Sequence, residues 1–346
     1  MSTSKVGAEA RFDHADLAAA VGGDEQAFER LVENHRRELH LHCYRMLGSF
    51  HDAEDGVQET MLRAWRHLAT FQGGSSFRAW LYRIATNVCL TRRARRQPDR
   101  ELPRVIAEEV AHPNEPVVVL SPYPDDLLDE IEGVCSDPAA LYDLRESVQL
   151  AFLAALQLLP PRQRAALILH DVLGWSLSEV ADMLASTVAG VNGALGRARK
   201  TLQEHRATGR LRSGPMAPTN EVELALMQGY VEAWQDADTR KLAGLLKSDV
   251  VLTMPPLPLR YAGRQAVTDF YGKGPFTTPG PFRLISTRAN RQPALAVYRF
   301  DSTTDTYQGV GIWVLTIDDD AIAEITTFVD PQLFAAFGLP RDIQPD

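Results

Sequence analysis

The chain has 346 residues, 45% of them apolar, with 36 Lys and Arg against 45 Asp and Glu for a net charge of −9, a composition suited to two or three globular domains. No run approaches the roughly 18 apolar residues of a membrane span, the segment Met1 to Ala10 lacks a secretory apolar core, and Cys43, Cys89 and Cys135 are too scattered for a disulfide framework or a C-x-x-C zinc site. These features argue against a secreted, membrane or zinc-finger protein, and a reduced cytoplasm is the expected compartment.

Charge is segregated along the chain. Residues 24–104 hold 14 basic and 11 acidic side chains, residues 105–144 ten acids and no Lys or Arg, and residues 145–212 nine basic and five acidic. The overall acidity therefore says nothing against a polyanionic partner, because Arg78, Arg83, Arg92, Arg93, Arg95, Arg96, Arg100 and Arg104 form one dense cluster. By itself such a cluster is more often solvated surface.

Two stretches lose periodicity and gain breakers. Gln97 to Pro138 holds seven prolines and reads as an acidic linker with one short helix at Asp125–Glu132; Arg212 to Thr219 is a second, shorter one. The expected organisation is an N-terminal segment 1–23, a helical module 24–97, a linker 98–138, a helical module 139–210, a linker 211–218 and a mixed domain 219–340.

In the first module, Ser49 and Asp52 suit a helix start, and Val57, Met61, Ala64, Trp65 and Leu68 recur on one face. In the second, Ser176 and Glu179 form a capping-box pattern that opens a short helix. After a break at Ala185-Ser-Thr187, Val188, Val191, Leu195, Ala198 and Leu202 form the stripe of another. Two capped helices a few residues apart, the second ending in Arg197, Arg199 and Lys200, read equally as a helix-turn-helix or as a hairpin of a structural bundle.

Several of these segments resemble one family. His51-Asp-Ala-Glu-Asp-Gly-Val-Gln-Glu-Thr-Met-Leu-Arg-Ala-Trp-Arg66 is similar to the D-A-E-D-x-x-Q-E-x-x-x-R-A-W-R core of domain two of extracytoplasmic-function (ECF) sigma factors, and Phe77-Arg-Ala-Trp-Leu-Tyr-Arg-Ile-Ala-Thr-Asn-Val88 to that family's F-x-x-W-L-x-x-I-A-x-N segment. Leu158 to Leu167 and Val191 to Leu202 resemble its domain four. The resemblance covers residues 24–206 in the family's order. It implies a non-enzymatic promoter-specificity factor whose partners are core RNA polymerase, through the β′ clamp helices and the β flap, and promoter DNA.

By that resemblance Asp55, Gln58, Glu59 and Arg63 would dock on the clamp, and they lie off the apolar face of their helix. Phe77–Asn87 and the arginines after it resemble the part that melts the −10 element, which needs a place for an extruded base and cations along the displaced strand. Asn87 is the candidate for a base edge; Arg78, Arg83, Arg92, Arg93, Arg95 and Arg96 are candidates for phosphates. Trp65, Trp80 and Tyr82 read as core. Many relatives carry V-K-S-R-L-x-R-A-R in the recognition helix, where this chain has Val191-Asn-Gly-Ala-Leu-Gly-Arg-Ala-Arg199. Gly190, Gly193 and Gly196 each cost roughly 1 kcal/mol of helix propensity, so the helix is expected to depend on packing or on the −35 element. Asn192, Arg197, Arg199 and Lys200 are its candidate DNA contacts.

The last domain places helices near Glu221–Asp236, Thr239–Leu246 and Arg264–Tyr271 before strands near Phe282–Arg288, Ala294–Phe300, Tyr307–Ile317 and Ile322–Val329, an α+β pattern with a curved antiparallel sheet. Val250–Met254, Gly311–Thr316 and Ile325–Pro331 resemble a SnoaL-like domain of the cystatin-like cone fold, which implies an apolar pocket open to a small ligand; Trp234, Met254, Tyr261 and Trp313 are the candidates to line it, though they read more readily as core packing. The expected fold class is thus multidomain: two all-α sigma domains followed by an α+β cone. Asp330 is the obvious carboxylate, but Asp330-Pro331 reads better as a helix cap than as catalytic. No catalytic residue, cofactor or metal site is expected; His40 and His42 point to different faces of a helix.

Three readings stay open: a sigma factor regulated in cis by its cone domain and acidic linker, a helix-turn-helix repressor with a ligand domain, and a cyclase or isomerase fused to a DNA-binding region. The acidic linker reads equally as a strap over basic faces and as a solvated tether.

Overall fold

The computed structural model describes residues 14–71, 76–95, 120–132, 145–207, 220–277 and 281–345. Most of the two expected linkers, and Arg96, lie outside the described residues. The chain forms two compact units. One comprises Met1–Asp99, Leu127–Val148 and Phe152–Leu211; the other comprises Arg100–Asp126, Gln149–Ala151 and Arg212–Asp346.

The first unit is helical. It begins with α1 (His14–Val21), α2 (Glu25–Leu47), α3 (Phe50–His67) and α4 (Phe77–Arg95). Asp24 starts α2 by accepting from the N–H groups of Gln26 at 3.0 Å and Ala27 at 3.1 Å, and Gly48 ends it in the left-handed region at φ 78°, donating to Tyr44 O at 2.7 Å. Ser49 caps α3 by accepting from Asp52 N–H at 3.3 Å. The expected stripe of Val57, Met61, Ala64 and Leu68 is buried, where each large side chain contributes about 1.5–3 kcal/mol. Trp65 is half-buried, its ring 5.1 Å from that of Phe28, and Trp80 and Tyr82 are core.

Helix α5 (Asp125–Glu132) has the expected bounds. There follow α6 (Leu150–Leu158), α7 (Pro161–Leu167) with proline at its first turn, one π-helical turn at Ile168–Val172, α8 (Leu177–Met183) and α9 (Val188–Ala207). Ser176 and Glu179 form a reciprocal capping box, with Glu179 N–H donating to Ser176 Oγ at 3.3 Å and Ser176 N–H to Glu179 Oε2 at 2.8 Å. The glycines of α9 do not interrupt it over 20 residues. Its buried Val191, Leu195 and Ala198 pack in this unit, and Thr187 Oγ1 accepts from Gly190 N–H at 3.0 Å.

In the second unit α10 (Asn220–Gln235), α11 (Thr239–Leu245) and α12 (Arg264–Lys273) lie with β1 (Leu246–Met254), β2 (Leu257–Ala262), β3 (Phe282–Ala289), β4 (Gln292–Asp301), β5 (Thr306–Asp318) and β6 (Ala321–Phe328). A short α13 (Leu333–Ala336) and β7 (Asp342–Ile343) end the chain. The sheet order is β2-β1-β6-β5-β4-β3, with β7 on β5. The sheet departs from the antiparallel expectation in one place: β1 runs parallel to β6, with Leu252 opposite Ile325. That pairing is possible because β1 and β6 are separated by β2, α12 and β3 to β5, a connection long enough to return the chain in the same direction. Leu295, Val297, Trp313, Leu315 and Ile325 face the buried side with Tyr230, Trp234, Val267 and Tyr271.

Candidate nucleic-acid and polymerase interface

On α3 the residues read as clamp-facing sort by exposure. Asp55 and Gln58 are exposed, and Glu59 and Arg63 are half-buried and joined by a 2.6 Å bond from Arg63 Nε to Glu59 Oε1. Amid them stands Leu62, 52% exposed, a residue the sequence reading passed over. The signal was present: Leu62 falls off the Val57, Met61, Ala64 stripe and one turn from Gln58, so an apolar side chain there has no core to enter.

Helix α4 presents Arg83 and Asn87 one turn apart, both exposed. Asn87 Nδ2 donates to Arg83 O at 2.9 Å, a bond that does not use its side-chain oxygen. Arg92 is half-buried and donates from Nη2 to Asp55 Oδ2 at 2.6 Å, so a residue assigned to polymerase and one assigned to DNA share an ion pair. Arg93 and Arg95 continue α4; Arg96 follows it outside the described residues.

Arg78 stands apart. Its Nε donates to Glu38 Oε2 at 2.8 Å, the same oxygen that Tyr82 OH reaches at 3.2 Å, while His35 Nδ1 meets Glu38 Oε1 at 2.6 Å. Burial alone would raise the Glu38 carboxyl, yet the His35 bond and the Arg78 charge hold it below its ordinary value. Its guanidinium also lies 4.9 Å from the Tyr82 ring centroid and 5.0 Å from that of Trp175.

On α9, Asn192, Arg197, Arg199 and Lys200 are all exposed. Arg199 is engaged bidentately by Asp171 on the π-helical turn, with Nε to Oδ2 at 2.9 Å and Nη2 to Oδ1 at 2.6 Å, and Lys200 lies 3.9 Å from Glu204. Arg197 makes no such pair among the described residues, and its Nη1 lies 3.3 Å from where a Cβ on Gly193 would stand.

In the second unit the structure brings Trp234, Met254, Tyr261 and Trp313 to one aromatic cluster, the first and last buried and the other two packed against it half-buried. Trp234 is its centre, with ring centroids 5.0 Å from Phe282, 5.3 Å from Phe276, 5.6 Å from Tyr271 and 6.3 Å from Trp313. Beside it the Tyr230 and Tyr271 hydroxyls bond at 2.7 Å. Asp330 lies elsewhere and does not cap a helix as expected: α13 starts at Leu333, after Gln332 and without a side-chain cap, and the Asp330 carboxylate instead accepts from Gln332 N–H at 3.0 Å in a local turn. Among the described residues no group of His, Cys, Asp and Glu is arranged to hold a metal, and no helix is long and apolar enough to cross a membrane.

Two helical modules, the second a helix-turn-helix, followed by an α+β cone define a multidomain DNA-binding factor with an appended cone domain. Family models match in the same order: Sigma-70 region 2 over residues 31–98, Sigma-70 region 4 over residues 149–202 and a SnoaL-like domain over residues 227–325. The chain is 42% identical to the ECF RNA polymerase sigma factor SigG of Mycobacterium tuberculosis over 346 residues, 96% of this chain and 91% of that protein. It is 31% identical over 183 residues to SigW of Bacillus subtilis, 53% of this chain and 90% of that protein. The crystal structure of the extracytoplasmic function sigma factor SigJ of Mycobacterium tuberculosis shares the fold with a TM-score of 0.53 at 22% identity, covering 88% of this chain and 97% of that one. The chain belongs to the ECF sigma factors of RNA polymerase and carries a SnoaL-like C-terminal domain. As a sigma factor it works with core RNA polymerase on promoter DNA to direct initiation.

Proposed function

We propose that the two helical modules grip polymerase and promoter through the residues above, and that the cone domain regulates this in cis without chemistry of its own. Asp55, Gln58, Glu59 and Arg63, centred on exposed Leu62, form the β′ clamp surface, and the second module meets the β flap. Arg83, Asn87, Arg92 and the arginines that follow serve the −10 element. Asn192 and Arg197 read the −35 element, with Lys200 on phosphate and Arg199 held by Asp171 until DNA competes for it. The six-segment division 1–23, 24–97, 98–138, 139–210, 211–218 and 219–340 is the working architecture, and a cytoplasmic location follows from the partner.

The observation that carries the regulatory part is a clasp within the second unit. Linker residue Tyr123 is buried and exchanges two hydrogen bonds with Asn290 of the β3–β4 turn, and Asp125 accepts from Arg291 N–H at 2.8 Å. The segment between the sigma modules is thus fastened to the cone. The aromatic cluster supports a binding role over catalysis, because among the described residues no acid or histidine is buried with the core around Trp234 to act as base. Run-off transcription with core polymerase should differ between the full chain and one ending near Ser213; equal transcript yields would sink regulation by the cone.

A further inference from the structure

The turn that opens the recognition helix is closely specified. Ala185 stands in the left-handed region at φ 46°, Ser186 N–H donates back to Ala181 O at 2.9 Å, and Thr187 caps α9 by accepting from Gly190 N–H at 3.0 Å. Val188 is therefore the first helical residue, held at a fixed place on the end that a helix-turn-helix offers to base edges. Its spacing predicts a place in the buried stripe with Val191, Leu195 and Ala198. The structure finds those three buried and Val188 44% exposed.

Nothing in the local structure calls for valine there. The apolar contact that fastens a helix start joins the residue before the cap to the fourth of the helix, here Ser186 and Val191, and leaves the first position out. That first position favours proline, and a β-branched side chain ranks low in helix propensity. Asn192 stands one turn along on the same side of α9 and is also exposed, so a branched apolar side chain and an amide present themselves together. In the major groove an A·T pair offers an adenine edge that an amide bonds twice and a thymine C5-methyl group that an apolar side chain recognises. We infer that Val188 is a specificity residue for thymine: its methyl groups pack on the C5-methyl of a −35 thymine, beside the base that Asn192 reads. This inference rests on assigning α9 to the −35 element.

The test uses the holoenzyme, the full chain with core polymerase, and a pool of random-sequence duplex DNA from which it selects its upstream element. Val188→Ala should keep the native melting midpoint, since the side chain is already half in solvent, and should lose the preference for thymine at one position of that element. On the selected duplex, deoxyuridine in place of that thymine removes a methyl group alone. Native holoenzyme should bind the substituted duplex about fourfold more weakly, the weight of one buried methyl group. Holoenzyme with Val188→Ala should bind the two duplexes equally, and Val188→Ile should restore the discrimination. An upstream element without thymine, or native holoenzyme indifferent to deoxyuridine at every thymine in it, refutes the contact. Asn192→Ala and Arg197→Ala are run alongside. If they change the selected element while Val188→Ala leaves it intact, the −35 assignment stands and the role of Val188 alone falls; if none of the three changes it, the assignment falls as well.

Discussion

Tyr123 and Asn290 are joined by two reciprocal bonds, Tyr123 N–H to Asn290 Oδ1 at 2.8 Å and Asn290 N–H to Tyr123 O at 2.9 Å. Asn290 and Arg291 both have positive φ, 56° and 62°, the two-residue turn that the twist of a hairpin favours. Asn290→Gly keeps the turn and loses the side-chain bond, a cost of about 1–2 kcal/mol. Asn290→Ala loses both, about 1 kcal/mol more. Thermal melting of the full chain should rank native above Asn290→Gly above Asn290→Ala in the transition of the second unit; equal midpoints would show that the clasp contributes nothing.

Acid should destabilise the first module through buried His42 and half-buried His40. Burial holds His40 at about 4, and burial with the Arg45 charge holds His42 at about 3, where its Nε2 meets Thr86 Oγ1 at 2.9 Å. Both stand at 6.5 when unfolded. Below about pH 6.5 the unfolded chain binds protons that the folded chain refuses, so stability is fully present above that value and falls with decreasing pH by about 1.4 kcal/mol per unit for each histidine. Urea titrations between pH 7 and pH 5 should show the loss, and His42→Gln should remove about half of its slope.

Gly311 sits where no side chain fits. A Cβ there would lie 2.0 Å from Phe328 O, a main-chain atom of the neighbouring strand that cannot turn away. Gly311→Ala should cost more than about 3 kcal/mol and leave the second unit unfolded by limited proteolysis, while the helical unit persists.

The glycines of the recognition helix are separable. Gly196 has no atom within 4 Å of a built Cβ, whereas one on Gly190 would meet Ser186 Oγ at 2.8 Å. Gly196→Ala should therefore stabilise the module by about 0.5–1 kcal/mol, and Gly190→Ala should gain less or lose. Chemical denaturation compares them directly.

Leu62→Ser leaves the core intact because the side chain is half in solvent already. Its melting midpoint should match native, while affinity for core polymerase drops about tenfold, the loss of one apolar anchor. Unchanged affinity would remove Leu62 from the interface.

Local chemistry made much of this legible in advance. The caps at Ser49 and Ser176, the stripe from Val57 to Leu68, α5 and the four long strands from Phe282 onward announce themselves because side-chain spacing and capping act over a few residues. Strands β1 and β2 were missed as elements. The first follows α11 without a break, and the second is crowded with Pro255, Pro256 and Pro258, which read as loop. The packing of the two sigma modules was out of reach, since it turns on buried Arg164 donating from Nη1 to Met46 O at 2.5 Å, and an arginine between Gln163 and Ala165 reads as surface. Arg199 was legible as a cation but not as the partner of Asp171, because the pair is set by a π-helical turn that leaves no local pattern.

The first two turns of α9 offer few long side chains to solvent. With Gly190, Gly193 and Gly196 among its exposed and half-exposed positions and Arg199 and Lys200 beside Asp171 and Glu204, the proposed −35 role leaves Asn192 and Arg197 as the long polar side chains to reach base edges. At about 1–3 kcal/mol for each well-made bidentate contact, two such groups distinguish few letters, so this module would accept upstream sites that have drifted apart, and the burden of choosing where transcription begins would pass downstream to the melted strand.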